Sequence, residues 1–239
     1  MTTSHVITSH PRGDEEVREA FGFYDGSSVQ SPFYDDGVPS YAGFLAGVIA
    51  SARPASVLEF GCNAGRNLDL LRGLLPAARL KGLDLNANMI ERGRARYGLD
   101  LRVGNEAALA ALPDASQDVV FTVSVVDHIP YPEFTLRHLL RVARHYLVLF
   151  EICNGQVGKA GAVLVGEDGG LRTGEGYPYS YLHDYRQECE RKFGALCVAD
   201  LHYPIQPGRL LDLYRLMVFA PRQADQAAPG VAGFALRSV

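Results

Sequence analysis

Residues 57–68 read VLEFGCNAGRNL. An apolar run ends in a single acid, Glu59, and a turn carrying Gly61 and Gly65 leads into a helix with a leucine face. Strand, glycine turn and helix in that order open a β-α-β unit. Glycine there permits positive φ and lets a ligand approach the backbone. Asn63, between the two glycines, is the residue type next most tolerant of left-handed backbone. Taken alone, the loop is equally well a tight strand-to-helix turn with no ligand.

The same alternation continues outward. Apolar runs recur at SVLEF (56–60), ARLKGLDL (78–85), LDLRVG (99–104), DVVFTVSVV (118–126) and YLVLFEI (146–152). Between them lie the helical patterns NLDLLRGLL, NMIERGRARYG and EFTLRHLLRVARH. Strands rich in Val, Ile, Leu and Phe, without strict alternation, are strands buried on both faces. The fold expected is an α/β, Rossmann-like, doubly wound and mostly parallel sheet of about seven strands. ALCVADLHY and LLDLYRLMVFA, joined at PIQPG (204–208), are read as a C-terminal antiparallel hairpin, and a helix is expected from His183 to Phe193, closed by Gly194.

The domain assignment is an N-terminal helical and loop lid over residues 1–50, a ligand-binding domain over 51–220, and a disordered Ala/Gln/Pro/Gly-rich tail over 221–239. Residues 152–176 hold 8 of the 25 glycines and are read as a flexible loop around a short strand at AVLV (162–165).

Composition narrows the function classes. The 239 residues carry a net charge of −4 and no long basic run, which argues against nucleic acid as a partner. No stretch approaches the roughly 18–20 uncharged apolar residues of a membrane span. MTTSHVITSHPRGDEE lacks a basic-then-apolar leader pattern. Cys62, Cys153, Cys189 and Cys197 are scattered without metal-ligand spacing, so a reduced, cytoplasmic setting and no metal are expected.

Two polar residues at later strand ends point to a nucleoside. Asp84 closes the second strand 19 residues beyond Gly65, near the roughly 20-residue offset of a ribose-binding acid. Asn105 closes the third strand, where a side chain meets the edge of an adenine. The glycine loop departs from the dinucleotide pattern G-x-G-x-x-G, with Asn63 at its third position and Arg66 at its sixth, and no G-K-[ST] follows it.

EFGCNAG (59–65), the acid at 84, Asn105-Glu106 and DVVFTVSVVDHI before the fourth helix resemble the successive motifs of class I S-adenosylmethionine-dependent methyltransferases. The resemblance covers about residues 55–152, and the terminal hairpin matches that family's reversed last strand. Asn63 stands where the family commonly has glycine, and Asn105 where it often has aspartate. The cofactor implied is S-adenosyl-L-methionine, with S-adenosyl-L-homocysteine as its product. By the resemblance, Glu59 orients the loop and the methionine amine, Gly61 and Gly65 admit the methionine and ribose, and Asp84 takes the ribose hydroxyls. Leu85 packs on adenine, Asn105 reads its edge, and the Val123 carbonyl faces the amine.

Methyl transfer from a sulfonium is an in-line displacement on an activated carbon, and positioning alone supplies roughly 7–11 kcal/mol. A base is needed where the acceptor is a hydroxyl or ammonium. His128, just past the fourth strand, is the first candidate for catalysis, beside a packing role. Asp127, His183, Tyr185, His202 and Tyr203 are weaker candidates. Aromatic residues at 21–41 and 177–185 either close a pocket or cover the sheet edge, with Tyr34 and Tyr41 the leading lid residues. No N/D-P-P-Y/F/W motif follows the fourth strand. The acceptor expected is a small molecule, a specialised metabolite or sugar, methylated on O or N. A homodimer is left open, and the competing reading is a cofactor-binding accessory protein without turnover.

Overall fold

A computed structural model of the chain describes residues 14–25, 40–153, 158–159, 163–165, 171–173, 179–203 and 214–222. The expectations placed on Tyr34, on the 204–208 turn and on most of 152–176 and of the tail fall outside them. Two helices, α1 (Asp14–Asp25) and α2 (Ser40–Ser51), precede the alternating core. That core runs β1 (Ser56–Phe60), α3 (Arg66–Leu74), β2 (Arg79–Asp84), α4 (Ala87–Tyr97), β3 (Asp100–Val103), α5 (Glu106–Ala110), β4 (Gln117–Val123), α6 (Glu133–Val142) and β5 (Ala143–Ile152). The short strands β6 (Gly158–Lys159), β7 (Val163–Val165), β8 (Leu171–Thr173) and β9 (Tyr181–Leu182) form two small two-stranded ribbons, and β10 (Leu196–His202) and β11 (Tyr214–Ala220) close the main sheet.

Seven strands lie in the order β10-β11-β5-β4-β1-β2-β3. The pairs among β1 to β5 are parallel, and β11 runs antiparallel to both β5 and β10, the expected hairpin. Strand order reverses between β1 and β4. In open α/β sheets the ligand crevice lies at such a reversal, outside the carboxyl ends of the strands.

Alternate strand residues feed opposite layers. Leu58, Val120, Leu147 and Phe219 pack with Leu109 of α5 and Leu136 and Leu139 of α6. Val57, Val119, Phe121, Val148 and Val218 pack with Leu45 and Ile49 of α2, Leu68 and Leu71 of α3, and Ile90 of α4. Helix α2, SYAGFLAGVIAS, is uncharged and apolar round most of its surface, and such a helix is buried. Leu45, Ala46, Val48 and Ile49 therefore pack into the core, within the 1–50 segment that the sequence reading assigned to a lid.

Two elements differ from expectation. The apolar run 118–126 leaves the sheet at Val123, and Val126–His128 form a 3-10 turn. The helix expected before Gly194 is a π-helical turn over Gln187–Lys192, and Gly194 ends it at φ 69°. No described helix is long and apolar enough to cross a membrane.

Candidate functional site

The site is built at the carboxyl ends of β1, β2, β3 and β4, beside the reversal in strand order. Gly61 (φ 76°), Asn63 (φ 50°) and Gly65 (φ 83°) all take left-handed backbone, as the loop's composition predicts. The loop's donors are engaged within the protein. The N–H groups of Gly61 and Cys62 donate to the Leu83 carbonyl at 2.7 and 3.1 Å, and that of Gly65 donates to the Cys62 carbonyl at 2.8 Å. Asn63 N–H donates to Asp84 Oδ2 at 2.7 Å, and Ala64 N–H donates to Asn63 Oδ1 at 2.7 Å. With five successive donors turned inward, the loop does not offer the N–H cradle a pyrophosphate needs.

Two acidic side chains, Glu59 and Asp84, flank it instead. Glu59 is 1% exposed on the α2/α3 side of the sheet. Oε1 accepts from Asn67 Nδ2 at 2.7 Å, while Oε2 is buried without a hydrogen-bond partner. Burial pushes its carboxyl up to about 8, with the Asp84 charge adding to the rise and Asn67 and Arg66 opposing it. Such an orphaned carboxylate oxygen is satisfied by a ligand that brings a donor, preferably a cation. Asp84 holds the loop from the next strand, its Oδ1 accepting from Asn86 N–H at 2.8 Å.

The remaining predicted residues lie along the same edge. Leu85 is half-buried beside Asp84, and Val123 ends β4 opposite Phe150. Asn105 follows β3, but its Oδ1 caps α5 by accepting from Ala107 N–H at 3.0 Å. Reading an adenine edge would draw on its second lone pair or its amide N–H. Glu106 turns away into the core, hydrogen-bonded to Thr135 of α6, and burial raises its carboxyl to about 7.

His128 is the best-defined polar side chain beyond β4. Its Nδ1 lies 2.9 Å from the Tyr179 carbonyl and 2.8 Å from the hydroxyl of Tyr24 in α1. A carbonyl only accepts, so the contact with Tyr179 is made by a protonated Nδ1. Nε2 stands 3.9 Å from Asp127 Oδ1. His183 instead is buried, with Nε2 2.9 Å from the Ile129 carbonyl, and burial lowers its pKa. Tyr185 is fully buried beneath the site, and Tyr203 stacks on Phe44. Tyr41, from α2, packs at a tilt on Phe150 with ring centroids 4.9 Å apart. Burial raises its hydroxyl, opposed by the neighbouring Arg66 charge and reinforced by that of Glu59.

Several residues here were not singled out by sequence reasoning. Glu151 at the end of β5 is fully buried. It accepts from Thr122 Oγ1 at 2.6 Å and from the N–H groups of Val125, Val126 and Asp127 at 3.0, 3.1 and 3.3 Å. Burial raises its pKa, and the charge of Asp127 acts in the same direction. Ser124, at φ 51°, bridges Tyr214 (2.7 Å) and Asp127 (3.2 Å) through its hydroxyl. The signal for Glu151 was present in the sequence, since it is a lone acid ending an apolar strand, as Glu59 is.

Because Asp84 accepts one hydrogen bond from the loop at Asn63 and one from Asn86 ahead of α4, Asp84→Ala is expected to cost about 1.5–3 kcal/mol of stability from those bonds. It should also abolish measurable S-adenosylhomocysteine binding, as read by calorimetry and thermal melting. Wild-type affinity in Asp84→Ala would remove this residue from the site.

A parallel sheet with an acid-flanked glycine loop at its reversal point defines a Rossmann-like nucleotide-cofactor domain of the kind that holds a cationic adenosyl ligand. Residues 58–148 match a family model described as a methyltransferase domain. Over 74 residues the chain is 45% identical to a probable S-adenosylmethionine-dependent methyltransferase of Mycolicibacterium smegmatis, a match spanning 30% of this chain and 28% of the relative. Over 110 residues it is 31% identical to trans-aconitate 2-methyltransferase of Methylobacterium nodulans, 46% of this chain and 42% of that one. The matches thus span under half the length of these curated relatives. The fold also matches the Burkholderia thailandensis 1,6-didemethyltoxoflavin-N1-methyltransferase, solved with S-adenosylhomocysteine, at a TM-score of 0.61 and 14% identity, covering 91% of this chain and 92% of that one. Residues 58–148 of this chain are thus similar to methyltransferase domains, on a fold shared with the class.

Proposed function

We propose that the protein transfers a methyl group from S-adenosylmethionine to an oxygen or nitrogen nucleophile of a small molecule, such as a specialised metabolite or sugar. The observation that carries this reading is the pairing of Glu59 and Asp84 around a loop whose N–H groups are already engaged. That pairing suits an ammonium and a ribose and is poorly made for a pyrophosphate. The bound cofactor supplies an activated methyl group. Glu59 Oε2 would receive the methionine ammonium, Asp84 the ribose hydroxyls, and Asn105 and Leu85 the adenine.

Tyr24 and the Tyr179 carbonyl fix the tautomer of His128, so that Nε2 is the nitrogen able to take a proton from a hydroxyl or ammonium acceptor. The net charge of −4 and the aromatic side chains Tyr41, Phe44, Tyr203 and Tyr214 near the strand ends support a small acceptor over a polyanion.

Thermal shift with S-adenosylhomocysteine and NAD, followed by mass spectrometry over an acceptor panel, tests the reading. S-adenosylhomocysteine at about 100 times its dissociation constant should add roughly 2.7 kcal/mol of stability. His128→Ala should lower turnover about 100-fold or more with cofactor affinity unchanged. Protection by NAD and none by S-adenosylhomocysteine would overturn the assignment. Cofactor binding with no methylated product across the panel would favour an accessory, non-catalytic role.

A further inference from the structure

The turn after β4 is short, buried and irregular, yet it forms one wall of the site. Ser124 takes positive φ, and Val125 packs so closely on the glycine loop that a Cβ on Gly61 would stand 2.2 Å from Val125 Cγ2. Its backbone is held chiefly from the neighbouring strand. One oxygen of Glu151 gathers three consecutive N–H groups, of Val125, Val126 and Asp127, and its other oxygen is held by Thr122 of β4. Consecutive N–H groups converging on one point form a nest for an acceptor oxygen, here filled by the protein's own carboxyl group. Glu151 lies on the α5/α6 side of the sheet, in register with Leu147 and Leu149, whereas Glu59 lies on the α2/α3 side.

We propose that Glu151 is a positioning residue for the cofactor site. By fixing the N–H groups of residues 125–127, it sets where the Val123 carbonyl and the Val125 side chain stand against the Gly61 loop. Glu151 does not itself touch the ligand. The inference rests on the cofactor reading above and extends it to a residue one strand away. A purely structural acid, filling a buried nest, would change stability and leave affinity alone. A positioning acid changes affinity according to its reach.

Length and the carboxyl group are separated by two variants. Glu151→Gln keeps the length, and its amide oxygen can accept from all three N–H groups while its NH2 donates to Thr122 Oγ1. Glu151→Asp keeps the carboxyl group but draws it back by roughly one C–C bond, about 1.5 Å, out of reach of the full set. S-adenosylhomocysteine binding is measured by calorimetry. Amide exchange at 125–127 and thermal melting are followed in the absence of ligand. Glu151→Gln is expected within about threefold of wild-type affinity, and Glu151→Asp at least tenfold weaker, with amides 125–127 exchanging at least tenfold faster. Thr122→Val, which removes one hydroxyl and leaves the nest intact, should lower the melting temperature without a comparable loss of affinity.

Equal affinity in Glu151→Asp and wild type would overturn the proposal, as would a larger loss in Glu151→Gln than in Glu151→Asp. So would losses in Thr122→Val and Glu151→Asp that simply track their melting temperatures. Failure of the wild type to bind S-adenosylhomocysteine would refute the cofactor reading instead. The exchange measurement would then still decide whether Glu151 holds the turn.

Discussion

Replacing Glu59 by glutamine is expected to weaken S-adenosylhomocysteine binding about 10–100-fold and, at the same time, to make the unliganded protein more stable above pH 8. Both effects follow from one buried carboxyl. It has a single hydrogen bond, from Asn67, on one oxygen and none on the other. Without ligand the group therefore holds its proton up to about pH 8. An incoming ammonium reverses that preference. Losing a charge-assisted contact of this kind costs about 1.5–3 kcal/mol, which gives the expected range of affinity loss. Wild-type affinity should rise with pH, by up to about tenfold per unit below pH 8, because binding displaces the Glu59 proton. Calorimetry in buffers of differing ionisation heat should register that proton's release with the wild type and none with Glu59→Gln. Equal release from both proteins would assign the proton elsewhere.

The stability effect has the opposite sign. The carboxyl is raised in the folded protein, from 4.5 to about 8. Between those values the unfolded chain has already ionised while the folded one retains its proton, so stability falls as pH rises through this window and levels off above it. The groups facing Glu59 are Asp84 at the end of β2, Arg66 in α3, Tyr41 in α2 and Cys62 in the loop. All four remain in the glutamine variant, so the comparison isolates position 59. The differential reaches about 3–5 kcal/mol, or roughly 6–20 °C in a chain of this size. Melting curves should coincide near pH 4 and separate by pH 9, with the variant higher. Parallel curves across that range would show that the carboxyl is not held neutral.

The sequence made the β-α-β core legible because β1, β4 and β5 are buried on both faces and read as unbroken apolar runs. It also made Glu59 legible, since two glycines follow it. Glu151 closes an apolar strand in the same way, but the glycine-rich segment after it gave no local reason to separate it from the strand. Val125 and Val126 read as strand because they are β-branched and continue an apolar run. What takes them out of the sheet is the nest around Glu151, some 25 residues further on. Long-range partners explain the other gaps. The tautomer of His128 depends on Tyr24 and Tyr179, 104 and 51 residues away, and no local pattern encodes either contact. The glycine loop was read as a backbone that a ligand approaches. Its donors turned out to be engaged because Leu83 and Asp84, on the adjacent strand, accept three of them. That pairing is a matter of strand register.

The close approach at Gly61 leads to the second large effect. Gly61→Ala is expected to lose about 2–5 kcal/mol of stability and at least tenfold in cofactor affinity. Two costs combine. A φ of 76° is left-handed, costing a residue with a Cβ about 1–2 kcal/mol. The added Cβ would also meet Val125 Cγ2 at 2.2 Å and Cγ1 at 2.8 Å, and overpacking of this kind typically costs about 1–3 kcal/mol. Val125 yields poorly, because a β-branched side chain has few rotamers and its own N–H is tied to Glu151. The strain therefore passes into the turn that carries Val123 and His128, which is why affinity should fall along with stability. Combining Gly61→Ala with Val125→Ala separates the terms. The second substitution removes the clash and leaves the left-handed backbone, so the pair should recover about half of the lost stability and most of the lost affinity. If Val125→Ala restores nothing, the loss belongs to backbone conformation alone, and the contact between the glycine loop and the β4 turn does not shape the pocket. If Gly61→Ala behaves as wild type in both melting and binding, the loop is more yielding than its packing implies, and the role of Gly61 in admitting the cofactor falls with it.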